Sequence, residues 1–224
     1  MSKLYLIPTP IGNLEDITLR ALKILKEVDV VLAEDSRTSG FLLKHFGIDK
    51  KIFPHHKFNE HSTVASVVSK IKSGQKVALL SDAGTPGISD PGFLLVRACI
   101  EQGIQVECLP GATALIPALV VSGFSTDSFV FEGFLPHKKG RQTKLQQLAA
   151  EERTIVLYES PHRIAKAIEQ LSQHLGNDRR ACICRELTKI YEEVIRGSLS
   201  ELKEICKTRK LKGEMVVVIE GLIR

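Results

Sequence analysis

The chain has 224 residues, of which 43% are hydrophobic and 25% charged, the balance of an ordinary globular protein long enough for one large domain or two of about 100 residues. No apolar run approaches the roughly 20 residues that cross a bilayer, and no leader pattern precedes the first strand-like segment; a cytoplasmic protein without a membrane partner is expected. The net charge of +5 is unevenly placed: residues 1–122 carry 13 basic and 12 acidic side chains, residues 123–224 carry 18 and 14. That excess is compatible with a nucleic-acid partner without requiring one.

Strand-like and helix-like segments alternate from the start. Lys3–Ile7, Val28–Ala33, Val77–Ser81, Val106–Leu109, Ser128–Glu132, Thr154–Tyr158, Ala181–Arg185 and Met215–Glu220 are rich in Val, Ile and Leu and read as strands, several covered on both faces. Between them Thr18–Lys26, Thr38–Phe46, Ser62–Lys72, Pro91–Gln102, Ala112–Val121, Lys138–Ala149, Pro161–His174 and Ser200–Lys207 read as helices. Asp90-Pro91 and Ser160-Pro161 each offer a capping side chain followed by proline at the first helical position. The alternation predicts an α/β fold with largely parallel sheets. The polar break Ser122–Asp127 divides it into two α/β domains, 1–122 and 123–224.

The cysteines, Cys99, Cys108, Cys182, Cys184 and Cys206, are odd in number and scattered, which argues against a disulfide framework and a zinc site. Cys182 and Cys184 share one face of their strand and read as buried thiols. His55, His56 and His61 lack the acidic or cysteine partners of a metal site, so no metal is expected.

Unusual residues gather where strands end. Pro8-Thr9-Pro10-Ile11-Gly12-Asn13 follows the first strand as a stiff, open loop. Ser81–Gly92 puts three glycines, two prolines and two aspartates between a buried strand and a helix. It is neither a Walker A loop nor Gly-x-Gly-x-x-Gly, so phosphate cradling is not indicated. Leu109-Pro110-Gly111-Ala112-Thr113-Ala114 is a third strand end, made of small residues. In open α/β sheets, ligands bind outside the carboxyl ends of strands.

These three segments, in this order, resemble the tetrapyrrole methylase superfamily, and within it the ribosomal RNA small subunit methyltransferase I family. The narrower resemblance is carried by Pro8–Asp16, Ala33-Glu34-Asp35-Ser36-Arg37, Ser81–Gly92, Glu159-Ser160-Pro161-His162-Arg163, Arg185-Glu186-Leu187-Thr188-Lys189 and Gly213-Glu214-Met215. It extends from residue 3 to residue 221. Ser36 stands where threonine is common and Gly87 where a larger apolar residue is common, and the C-terminal extension of many members does not follow Gly221.

The resemblance implies two α/β domains with S-adenosylmethionine in a cleft between them. It places Ile11, Asp82, Ala83, Gly84, Thr85, Thr113 and Ala114 of the first domain against the cofactor, with Tyr158, Glu186 and Met215 of the second. It further implies 2′-O-methylation of a decoding-region cytidine of 16S ribosomal RNA, in the small subunit of the ribosome, by a homodimer.

A ribose hydroxyl is a weak nucleophile until its proton is accepted, whereas a sulfonium methyl is already activated; alignment and a base are what remain for the protein. The charged strand-end groups Glu159, Arg163, Glu186 and Lys189 are the candidate catalytic residues, and Glu34, Asp35, Arg37, His162 and Arg185 stand beside them in the same blocks. Arginine and lysine would hold phosphates, and a carboxylate or a lysine of lowered pKa would take the proton; the sequence leaves the base open. Lys138, Lys139 and Arg141, with His137 and Lys144, are candidate RNA contacts, as are Lys50, Lys51, His55, His56, Lys57 and His61 around Phe53 and Phe58. The competing activity is methylation of a corrin or porphyrin precursor on the same fold. The Pro-Thr-Pro-Ile-Gly-Asn loop and the Glu-Ser-Pro-His-Arg block separate the two in favour of RNA.

Overall fold

Short apolar runs make the centre of the first half. In chain order, β1 (Leu4–Ile7), β2 (Val30–Ala33), β3 (Ile52–Pro54), β4 (Val77–Leu80) and β5 (Val106–Cys108) form one sheet in the order β3-β2-β4-β1-β5. Every pair in it is parallel. β1, β2 and β4 are buried at every position, as strands covered on both faces must be. Tyr5, Ile7, Val31, Ala78 and Leu80 pack with Ala21 and Leu25 of α1 (Leu19–Glu27) and Leu43 of α2 (Ser36–His45). The alternate residues Leu4, Leu6, Val30, Leu32, Val77 and Leu79 pack with Val67 and Ile71 of α3 (Glu60–Lys72) and Leu95 and Cys99 of α4 (Phe93–Glu101). The period of two in the strands therefore sorts the helices into two layers.

The computed structural model describes residues 3–222, and the chain divides into two compact units between Thr113 and Ala114. The second contains α5 (Leu115–Ser122), β6 (Phe129–Phe134), α6 (Arg141–Ala149), β7 (Thr154–Glu159), α7 (Ile164–Leu175), β8 (Arg180–Arg185), β9 (Glu193–Ser198), α8 (Leu199–Thr208) and β10 (Met215–Ile219). Its sheet runs β6-β7-β10-β8-β9. Helices α6, α7 and α8 cover one face through Leu145, Leu148, Ile168, Leu171 and Leu202. Helix α5 touches β7, β8, β9 and β10, with the Cys184 thiol 3.8 Å from the Ala118 carbonyl. Cys182 and Cys184 do share a face, their sulfurs 3.6 Å apart and buried. Because α5 packs on the second sheet, the division precedes this helix rather than following it at residue 122.

Other expectations change for physical reasons. The second sheet is mixed: β6 and β7 are parallel, whereas β7–β10, β10–β8 and β8–β9 are antiparallel. Two strands, β3 and β9, lie outside the sequence reading; β3 has only three residues, and β9 interrupts its apolar positions with Glu193 and Arg196. Asp90 does not cap α4, whose N-cap is Gly92, and Ser160 does not cap α7, whose N-cap is Arg163 with no side-chain bond. Helix α8 has the full reciprocal box instead, Ser198 accepting from the Glu201 N–H and the Glu201 carboxylate accepting from the Ser198 N–H. Among the described residues no helix is long and apolar enough to cross a membrane.

Candidate active site

Parallel pairing brings the carboxyl ends of all five strands of the first sheet to one edge. Ile7, Leu80, Ala33 and Pro54 are register partners across β1, β4, β2 and β3. Helix α1 follows β1 on one face and α4 follows β4 on the other, so these adjacent strands flank the topological switch point, where the strand ends leave a crevice. The Pro8–Asn13 and Ser81–Gly92 loops meet there. Thr9 and Gly84 exchange N–H···O=C bonds of 2.9 Å in both directions, the Thr9 hydroxyl donates to the Ser81 carbonyl at 3.1 Å, and the Ser81 hydroxyl donates to the Gly84 carbonyl at 2.9 Å.

The third loop locks onto the other two. The Thr85 hydroxyl donates to the Ala112 carbonyl at 3.1 Å. A Cβ on Gly111 would lie 2.7 Å from the Pro8 Cβ, and one on Gly84 would touch the Ile11 side chain at 3.5 Å. Ile11, Gly84, Thr85 and Thr113 are thus brought together on one edge, with Asp82 and Ala83 exposed beside them.

Three carboxylates converge on this edge. Asp82 accepts a hydrogen bond from the Asp35 N–H at 3.0 Å. Burial, then the Asp82 charge, raises the Glu34 pKa, and burial with the Asp35 charge raises that of Asp82. Asp90 is pushed up to about 7 by burial, then by Glu34 and Asp82. Asp35 stands apart in role: it is the N-cap of α2 and its carboxylate grips the Arg37 guanidinium at 2.7 Å, which holds it down at about 2. Burial and like charge together oppose the simultaneous ionisation of all three carboxylates.

The second sheet also gathers its candidates on one edge. Met215 pairs with Glu159 of β7 and Arg185 of β8, Arg185 pairs with Glu193, and Phe134 with Tyr158. Glu159 is 3% exposed, and its Oε1 accepts from the Ser160 N–H and from Arg163 Nε, both at 2.8 Å. Arg163 is the more accessible partner and lies over the Phe134 ring. Tyr158 sits edge-on between Phe131 and Phe134. Met215 is buried in the second core.

Just beyond the edge, Glu186 holds a left-handed backbone at φ 52°. Its Oε1 accepts from Lys189 Nζ and from the Glu214 N–H, each at 2.9 Å. Gly213 is left-handed as well, and a Cβ there would collide with the Glu186 carboxyl. The Lys189 hydrogen bond holds the Glu186 pKa below the ordinary value. Burial is the largest influence on Lys189 and opposes its charge, but hydrogen bonds to Glu186 and Glu214 outweigh it and leave its pKa raised. Lys189 is therefore an ammonium at neutral pH and not a lysine of lowered pKa. Arg185 is a brace, bonded to Glu193 and to the Lys212 and Tyr191 carbonyls.

The basic clusters divide on inspection. Lys138 and Lys139 are exposed, but Arg141 is 8% exposed, donating to Gln170 at 2.7 Å and to the Pro136 carbonyl at 2.9 Å. Its guanidinium is occupied internally, which leaves Lys138 and Lys139 as the exposed cations of this run. Lys144 is paired with Glu132. His55 is fully buried and Lys50 is bound to the Val28 carbonyl, whereas Lys57 and Phe58 remain exposed.

A parallel α/β sheet with an acidic switch-point edge, joined to a mixed α/β unit with a charged edge of its own, is the fold of the tetrapyrrole (corrin/porphyrin) methylases, whose family model matches residues 3–203. The uroporphyrin-III C-methyltransferase of Thermus thermophilus, solved with S-adenyl homocysteine, superposes with a TM-score of 0.66 at 19% identity, over 97% of this chain and 92% of that one. Much nearer in sequence are ribosomal RNA small subunit methyltransferase I of Pasteurella multocida, 49% identical over 99% of this chain and 80% of that protein, and that of Thermotoga maritima, 45% identical over 99% of both. The chain belongs to the ribosomal RNA small subunit methyltransferase I family.

Proposed function

We propose that this chain transfers a methyl group from S-adenosylmethionine to the ribose 2′-hydroxyl of a decoding-region cytidine in 16S ribosomal RNA. The proposal extends to its setting: the substrate is the small ribosomal subunit, and the enzyme is a cytoplasmic homodimer. The observation that carries the cofactor assignment is the convergence of Glu34, Asp82 and Asp90 at the switch point of the first sheet. S-adenosylmethionine is cationic at its sulfonium and its ammonium group, and it supplies an activated methyl. The names of the nearer relatives support ribosomal RNA as the acceptor.

Each edge has its own task. Asp82, Glu34 and Asp90 hold positive charge, while the backbone around Gly84, Thr85 and Thr113 shapes the wall against which the donor lies. The buried Glu159 aims the Arg163 guanidinium, and the half-buried Glu186 aims the Lys189 ammonium. The two cations hold RNA phosphates and stabilise negative charge growing on the attacking oxygen, an effect that is large where water is excluded. Orienting the hydroxyl against the methyl contributes by proximity.

The test is methylation of small subunits from a strain lacking the enzyme, with a labelled donor, followed by alkaline hydrolysis of the RNA. A 2′-O-methyl blocks attack on the adjacent phosphate, so the modified cytidine should appear as a gap in the ladder. Label on a base with an unbroken ladder would refute the ribose assignment. Label accepted by a corrin or porphyrin precursor, and not by RNA, would transfer the activity to the small-molecule branch.

A further inference from the structure

The end of the Ser81–Gly92 loop is held by a residue that belongs to none of the motifs. Gly92 has φ 137°, and a Cβ there would lie 2.9 Å from Leu79 Cδ2, so the position requires glycine and brings no capping side chain to α4. Glu60, in the first turn of α3, supplies the acceptor instead. Its Oε1 receives the Gly92 N–H at 3.0 Å and the Leu94 N–H at 3.2 Å. Glu60 is 9% exposed, and a buried carboxylate at a helix N-terminus is stabilised both by these donors and by the dipole.

The preceding turn aims that carboxylate. Asn59 Oδ1 accepts from the His56 N–H at 2.8 Å and Asn59 Nδ2 donates to the Pro54 carbonyl at 3.0 Å. His55 is fully buried, with Nδ1 2.9 Å from the Thr63 hydroxyl and Nε2 3.9 Å from Glu60 Oε1. Burial lowers its pKa, which favours the neutral imidazole, and Glu60 Oε1 is left to the N–H groups of the helix end.

The loop needs such an anchor. Gly84, Gly87, Ser89 and Gly92 all have φ between 67° and 137°, and for Ser89 that backbone is unfavourable unless its surroundings impose it. The near end is fastened by the Thr9–Gly84 bridge and the Thr85–Ala112 bond. The far end is fastened by Glu60.

We propose that Glu60 is a positioning residue of the donor site, fixing the far end of the Ser81–Gly92 loop so that Asp82 and Asp90 meet Glu34. This rests on the reading of that loop as the S-adenosylmethionine site.

Calorimetry of S-adenosylhomocysteine binding, with steady-state methylation of small subunits, tests it in the full chain. Glu60→Asp keeps the charge but shortens the reach, whereas Glu60→Gln keeps the reach and an acceptor oxygen. Glu60→Asp should bind at least about tenfold more weakly and raise KM for the donor but not for RNA, while Glu60→Gln should remain within about threefold of wild type. Amide exchange at Gly92 and Leu94 should accelerate in Glu60→Asp and not in Glu60→Gln, a readout independent of catalysis. Wild-type affinity and exchange in Glu60→Asp, or equal losses in both variants, would overturn the role. Asp82→Ala separates the two readings. Loss of affinity there with none in Glu60→Asp overturns the anchor alone; no loss in either removes the loop from the donor site.

Discussion

The Asp35 N–H donates to Asp82 Oδ1 at 3.0 Å, tying the end of β2 to the loop that follows β4. This bond draws Asp82 toward Glu34 and leaves Asp35 free to cap α2. If Asp82 meets the cationic donor, Asp82→Ala should weaken S-adenosylmethionine binding by roughly ten- to a hundredfold, the range for a hydrogen bond to a charged group. Thr113→Leu, which fills the wall of the third loop, should weaken it comparably while the circular dichroism spectrum stays unchanged. Calorimetry giving unaltered affinity in both variants would place the donor elsewhere.

The titration of Asp90 gives a pH signature. Its folded pKa of about 7 lies above the ordinary 3.8, so the folded state is favoured by protonation. That contribution is full below about pH 4 and is lost as pH rises through 7. Asp90→Asn should therefore gain melting temperature relative to wild type as pH rises from 5 to 8, with the gain levelling off above about 7.5. A cationic donor favours the ionised cluster, so binding at pH 6.5 should release protons in a buffer-dependent calorimetric enthalpy. The release should shrink at pH 8.5 and diminish in Asp90→Asn. A binding enthalpy independent of buffer at pH 6.5 would separate Asp90 from the cofactor.

Lys189 and Glu186 are expected to act on turnover. Lys189→Met removes the ammonium but keeps the stem, and should reduce kcat by about 10²–10³ if it stabilises charge on the attacking oxygen. Donor affinity should stay near wild type, the pattern of an interaction made chiefly in the transition state. Single-turnover rates equal to wild type would assign Lys189 to bracing the Glu186–Glu214 corner.

The two halves of the basic cluster should separate. Lys138→Ala with Lys139→Ala should lower the slope of log affinity for small subunits against log salt by about 1 to 2, since fewer counterions are released. Arg141→Ala should leave that slope unchanged and cost about 1–3 kcal/mol of stability, because the Pro136 carbonyl and Gln170 lose their donor. A slope change in Arg141→Ala without a loss of melting temperature would return the arginine to the RNA surface.

The sequence by itself determined the α/β class, most strand positions and the three loops of the first edge. Those features are local: runs of Val, Ile and Leu mark buried strands, and Pro8, Pro10, Gly84 and Gly111 stand where the chain must stop, turn or let another segment approach. The motif blocks were legible through their resemblance to the ribosomal RNA small subunit methyltransferase I family. Tertiary structure alone decided which charges are available. Arg141 and Lys139 look alike in a basic run, yet one donates into the protein and the other faces solvent. The short strand β3 and the charged strand β9 exist because neighbours complete their ladders. Glu60 reads as an ordinary helix-start glutamate, and its carboxylate became the cap of α4 only when α3 and α4 packed on the same face of the sheet. Asp90, by contrast, lost the capping role its neighbour Pro91 suggested and gained a raised pKa from Glu34 and Asp82. Local patterning fixes where the chain bends and what it buries; desolvation and partnership between distant side chains depend on the assembled fold.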